Sequence, residues 1–237
     1  MEFFILVLLV CLLIFLGSLY FLANDDLVLL RKDTSLERVF DIALVMAFSS
    51  LLSARILYVI LNPSSGFLNP LVFFLFPYFP GLSLTGGVVG ALLAFFLFYA
   101  RESKAPVGRL LDFFSIAFLV ALSVGLLGFV ILSWGQEDTF PMIGLIVAYI
   151  ALLAVVIKFY LPEMLRGELR DGTITLIILL SFSAVTLLAN FIQKQKIDFS
   201  IEEWILIVLF LSSLALLAKQ HRLHYRLMEK VREKLKR

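Results

Sequence analysis

Arg55 stands inside the apolar run SSLLSARILYVILN, with Tyr58 three residues further on. On a helix that spacing puts both on one face. A guanidinium in hydrocarbon is costly, so it turns toward the bundle interior or a water-filled cavity. There it would hold an anion, and the anion at hand in a bilayer is a lipid phosphate. The other reading is an arginine whose stem lies in the apolar layer while its head reaches the interface. Both readings stand for Arg55 and Tyr58. A second run, PGLSLTGGVVGALLAFF at 80–96, carries no charge but opens with Gly81, Ser83, Thr85, Gly86, Gly87 and Gly90. Gly86 and Gly90 form a Gly-x-x-x-Gly pair, a device for close helix contact. Small and polar residues can equally line a cavity. Gly125, Gly128, Ser183, Thr186 and Asn190 extend that set, while Asp41 and Asp112 fall near predicted helix starts, where a carboxylate suits the helix dipole. The two histidines, His221 and His224, lie in the C-terminal tail, and Cys11 is the lone cysteine. Neither histidine is therefore a plausible intramembrane base or ligand, and no intramolecular disulfide can form.

Membrane helices must position these residues. The chain has 237 residues, of which 62% are hydrophobic and 16% charged. Soluble domains have about 45–50% apolar and about 25% charged residues. Apolar runs near the length needed to cross about 30 Å of hydrocarbon recur along the chain. In lipid the backbone must satisfy itself, and nothing here alternates as barrel strands do. The expected fold is an all-α polytopic membrane protein with seven spans, near 3–23, 39–62, 82–100, 113–133, 142–161, 172–192 and 203–219. The stretch FLNPLVFFLFPYFP at 67–80 is apolar but broken by Pro70, Pro77 and Pro80, which suits a re-entrant segment or a hydrophobic loop.

Lys and Arg set the orientation. One set of connections, with the tail, holds 17 of the 20; the other holds Lys194 and Lys196; Arg55 is inside a span. This predicts an N-terminus outside and a C-terminus in the cytoplasm. Ser83, Thr85, Gly86, Gly87, Gly125, Gly128, Thr186 and Asn190 then all fall in the outer half of the bilayer. Such a cluster suggests a cavity open to lipid head groups; helix packing alone also accounts for each glycine.

The first span has no positive n-region and no small-residue cleavage site, so a retained helix is expected. LLVC resembles the box where bacterial lipoproteins are cut, but Val10 fills the position that needs a small residue. A packed or lipid-facing thiol is the plainer reading of Cys11. Residues 1–219 are expected as the membrane domain and 220–237 as a basic cytoplasmic tail. Leu223, Leu227, Val231 and Leu235 recur every four residues and would form one helix stripe. That tail is either a basic helix on the anionic inner leaflet or an ordinary positive-inside anchor. Nothing else points to nucleic acid.

The order of these features resembles the bacterial prolipoprotein diacylglyceryl transferase family. ARILYV matches that family's Gly-Arg-Ile-Gly-Tyr-Val at Arg55, Ile56, Tyr58 and Val59. GLSLTGGVVG keeps the glycines of Gly-Met-Ser-Phe-His-Gly-Gly-Leu-x-Gly in register, with Ser83. A basic loop and Asp112 follow, as RESKAPVGRLLDFF. The resemblance covers about residues 12–219. It implies seven spans in a bacterial plasma membrane and no metal or cofactor. It also implies transfer of a diacylglyceryl group from phosphatidylglycerol to the cysteine of a prolipoprotein, recognised by its signal peptide. Arg55 and Tyr58 would then hold the lipid phosphate.

The departures fall on the family's ionisable positions. Its histidine is Thr85 here, and the arginine and asparagine of Gly-Arg-Leu-Gly-Asn are Leu126 and Phe129. The next acidic position is Trp134, and a later arginine and glutamate are Thr186 and Asn190. Two readings follow. One is an active, divergent transferase. The other is a non-catalytic relative that binds phospholipid or a membrane partner at the outer leaflet. A small transporter is the weakest alternative, since coupling mechanisms use more intramembrane ionisable groups than this chain has.

Overall fold

The computed structural model describes residues 3–24, 26–32, 34–63, 81–99, 106–132, 139–194 and 200–235, and every regular element among them is helical. In chain order these are α1 (Phe3–Ala23), α2 (Leu27–Arg31), α3 (Leu36–Leu61), α4 (Leu84–Phe98), α5 (Val107–Leu132), α6 (Thr139–Val155), α7 (Leu161–Leu165), α8 (Thr173–Lys194) and α9 (Ile201–Leu235). α6 passes into α7 through a π turn, Val156–Tyr160, where the Leu161 N–H donates to the Val156 carbonyl. Pro162 accounts for it. A proline has no N–H to donate and crowds the carbonyl four residues back, so the preceding turn widens.

Among the described residues, six helical stretches are long and apolar enough to cross a membrane: Ile5–Ala23, Leu36–Leu61, Val107–Ile131, Met142–Leu165, Thr173–Ile192 and Ile201–Gln220. Of the seven expected spans, one is shorter than these six. The expected third span, 82–100, is the 15-residue α4. At 1.5 Å per residue it is about 22 Å long, short of the hydrocarbon core. Ser83 sets its start by accepting the Gly86 N–H on its side-chain oxygen, and Tyr99 closes it. α5 starts at Val107 rather than near 113, which puts Asp112 inside the helix. The 67–80 segment and Trp134 lie outside the described residues. α9 runs unbroken past 220 to Leu235, while its side chains beyond Gln220 lie outside the described part.

α5 is the central helix. It packs along α1 and against α6 and α8; α3 pairs with α4, and α8 with α9. Leu110, Phe113 and Leu119 of α5 are fully buried. Phe114 takes the edge of Phe95 from α4 at 5.9 Å and stacks with Phe15 of α1 at 6.4 Å. Phe182 of α8 joins Tyr149 of α6 and Phe118 of α5, at 6.2 and 6.3 Å. Outward, Phe21 is 83% exposed, Phe48 74% and Ile192 73%. A girdle of this kind is stable when hydrocarbon, not water, surrounds it.

Candidate functional site

α3 and α4 are antiparallel. A Cβ on Gly86 would stand 2.8 Å from both the Leu57 Cβ and the Ser53 carbonyl oxygen. One turn on, a Cβ on Gly90 would overlap the Ser53 side chain and stand 2.8 Å from the Ser49 carbonyl oxygen. A Cβ on Gly87 would stand 3.0 Å from Ser50 Oγ. Ser49 Oγ donates to the Gly90 carbonyl at 3.0 Å, and the Ser83 N–H donates to the Ala54 carbonyl at 3.0 Å. The glycine motif thus brings the two backbones together, as small residues do in membranes.

Arg55 lies where that pair opens. It is buried, and its Nη1 donates to the Gly81 carbonyl at 2.9 Å. Its Cζ is 5.9 Å from the Tyr58 ring centroid. Gly81 has φ of +151°, and a Cβ there would collide with the Tyr58 ring. Glycine is required at 81 on both counts. Arg55 therefore pins the chain that leads into α4, and its guanidinium sits beside the backbone of the motif.

The third helix to reach this place is α9. Glu202, in its first turn, is half-buried and accepts on Oε1 from Thr85 Oγ1 at 2.8 Å and from Ser83 Oγ at 3.2 Å. The neighbouring Glu203 is buried and turns back on its own helix start. It takes the Ser200 N–H at 2.6 Å and also the Ser200 hydroxyl, as in a capping box. Consecutive acids thus have different tasks: Glu203 closes the helix and Glu202 faces α4. The expected seventh span, 203–219, begins one residue too late to include Glu202. The signal available was the acidic pair in SIEEW at the mouth of an apolar run.

The other sequence-selected residues fall at separate helix contacts. A Cβ on Gly125 would stand 2.9 Å from Cys11 Sγ, and one on Gly128 3.1 Å from Val7 Cγ1, so both lie on the α1–α5 seam. Thr186 Oγ1 shares a hydrogen bond with the Tyr149 hydroxyl at 2.9 Å, joining α6 to α8. Asn190 is half-buried one turn later on α8. The structure brings together Arg55, Tyr58, Gly81, Ser83, Thr85 and Glu202.

A second polar cluster marks the opposite end of the bundle. Arg109 donates through Nε and Nη2 to Asp26 Oδ2 at 3.0 and 2.6 Å, and through Nη1 to the Met164 carbonyl at 2.9 Å. Asp26 also caps α2, its Oδ1 accepting the Val28 and Leu29 N–H groups at 3.0 Å each. Asp112 does not serve its own helix start, as expected from the sequence; it serves that of α8. Its oxygens take the Gly172 N–H at 2.6 Å, the Thr175 N–H at 2.8 Å and the Thr175 hydroxyl at 2.7 Å. These carboxylates are spent on architecture. Among the described residues no three His, Cys, Asp or Glu side chains converge as metal ligands.

An all-helical bundle with an apolar outer surface and its charges gathered at the two ends is a multi-pass membrane protein. Its family follows from the sequence as a whole: the family model for prolipoprotein diacylglyceryl transferase matches residues 3–219, and the chain belongs to that family. Neither the curated proteins nor the solved structures contain a match.

Proposed function

We propose that the protein transfers a diacylglyceryl group from phosphatidylglycerol to the cysteine of a prolipoprotein, at the outer face of a bacterial plasma membrane. The family match across residues 3–219 carries this reading. The arrangement around Gly81 supports it. A guanidinium binds a phosphate well, and Arg55 holds the Gly81 carbonyl at the start of the segment whose Ser83 and Thr85 hydroxyls meet Glu202. The lipid phosphate would sit at Arg55 and Tyr58, with Ser83 and Thr85 orienting the head group. The prolipoprotein signal peptide would approach from the bilayer.

The orientation belongs to the same proposal: N-terminus outside, C-terminus cytoplasmic, seven passes. α3 ends near Gly81, yet α5 starts beside Asp26, which precedes α3. α4 would therefore carry the chain back across as a short seventh pass, with the bilayer thinned or the flanking residues reaching outward. The Arg109 end would face the cytoplasm, where the basic tail meets anionic lipid.

The test is direct. Full-length protein in phosphatidylglycerol vesicles, given a prolipoprotein peptide, should release glycerol phosphate. A second reading, a non-catalytic relative that binds phospholipid or a membrane partner, draws on Thr186, whose hydroxyl is engaged by Tyr149. No release beside a working control would favour it.

A further inference from the structure

We infer that Glu202 is the proton acceptor for the thiol in this reaction, an inference that rests on the transferase reading above. Four observations carry it. Glu202 is held by two hydroxyl donors, Thr85 and Ser83, and both bonds fall on Oε1. Its other oxygen, Oε2, accepts no hydrogen bond among the described residues. The side chain is half-buried, so it is fixed in place and still reachable. Finally, Arg55 and Glu202 grip the same short segment: Arg55 holds the Gly81 carbonyl, and Glu202 receives the Ser83 hydroxyl two residues on. A cation suited to the phosphate and a carboxylate suited to a proton thus flank one stretch of backbone.

The chemistry requires such a group. A free thiol has a pKa of about 8.5 and is mostly protonated at neutral pH, while the thiolate is the nucleophile. In the proposed step the cysteine S–H proton moves to Glu202 Oε2. The sulfur electron pair forms a C–S bond to the glyceryl carbon that bears the phosphate. The C–O bond to that phosphate breaks, and its electron pair leaves with glycerol phosphate. The proton then passes from Glu202 to the leaving phosphate or to water. Arg55 offsets the charge on the departing group. Thr85 and Ser83 act as positioning residues that aim the carboxylate.

A selenocysteine peptide tests this, because a selenol is a stronger acid than a thiol and is already ionised at neutral pH. Full-length wild-type protein and Glu202→Gln are compared in phosphatidylglycerol vesicles with cysteine and selenocysteine versions of one prolipoprotein peptide. Glutamine keeps an acceptor oxygen for Ser83 and Thr85 but is no base. The expected result is a fall of at least about 100-fold in cysteine turnover, the usual range for losing a general base. Selenocysteine turnover should change only a few-fold. The same contrast, weaker, is expected for Glu202→Asp, which keeps the charge and covers a Gln variant that does not fold. Undiminished cysteine turnover in folded Glu202→Gln would overturn the role, as would an equal loss with both peptides. If the wild type releases glycerol phosphate with neither peptide, the transferase reading falls and takes this role with it.

Discussion

Thr85 on α4 donates its hydroxyl to Glu202 on α9 at 2.8 Å, across 117 residues of sequence. Ser83 reaches the same oxygen, and Arg55 on α3 holds the backbone two residues earlier. Two consecutive helices and a third that begins only at Ile201 therefore meet on the segment 81–85. The meeting is polar and lies at the mouth of a glycine-packed pair, so each group has a partner whose loss can be measured.

Arg55→Leu should abolish co-purification of phosphatidylglycerol with detergent-solubilised protein. A hydrogen bond to a charged group contributes about 1.5–3 kcal/mol, enough to lower lipid affinity more than tenfold. Lipid extraction and mass spectrometry check it. Because Arg55 also holds Gly81, the unfolding midpoint is read alongside, and unchanged lipid retention would remove Arg55 from the site.

Gly86→Ala should destabilise the protein by about 1–3 kcal/mol, the usual cost of overpacking. Gly87→Ala should cost clearly less. The new methyl at 86 meets backbone at 2.8 Å, which cannot yield cheaply, whereas at 87 it meets the Ser50 hydroxyl at 3.0 Å, which can rotate. Thermal unfolding of the two variants in detergent gives the ranking, and equal effects would contradict the antiparallel packing.

Arg109→Met should cost about 3–5 kcal/mol, because it leaves Asp26 buried without its cation. The double variant Arg109→Met with Asp26→Leu should be less unstable than the sum of the singles, since it removes both charges. A double-mutant cycle of unfolding free energies measures the difference. Strict additivity would mean that the pair is not coupled.

Asp112→Ala should loosen the start of α8 rather than of its own helix. It strips acceptors from the Gly172 and Thr175 N–H groups, a loss of about 1–3 kcal/mol for a buried donor left without a partner. Amide hydrogen exchange should quicken at residues 172–176 and stay unchanged at 107–111. Faster exchange in α5 instead would reverse the assignment.

Much of this protein is legible in the chain itself. Uninterrupted apolar length determines where helices form, because lipid leaves the backbone no other partner. That reasoning finds α1, α3 and α8 near their true bounds and singles out Arg55 and the glycines at 81–90. It overextends α4, since hydropathy cannot see that the Ser83 hydroxyl caps the helix at Leu84. What the sequence withholds is which face of each helix meets which neighbour. A soluble helix declares its buried face by an apolar stripe; a membrane helix is apolar all round, so periodicity carries no address. Only the tertiary structure could place Gly125 and Gly128 against α1 and give Asp112 to α8. The same holds for Glu202, a residue at the edge of its span with no local sign of a partner. Its bonds to Thr85 and Ser83 exist because helix packing closes a gap that no local pattern spans.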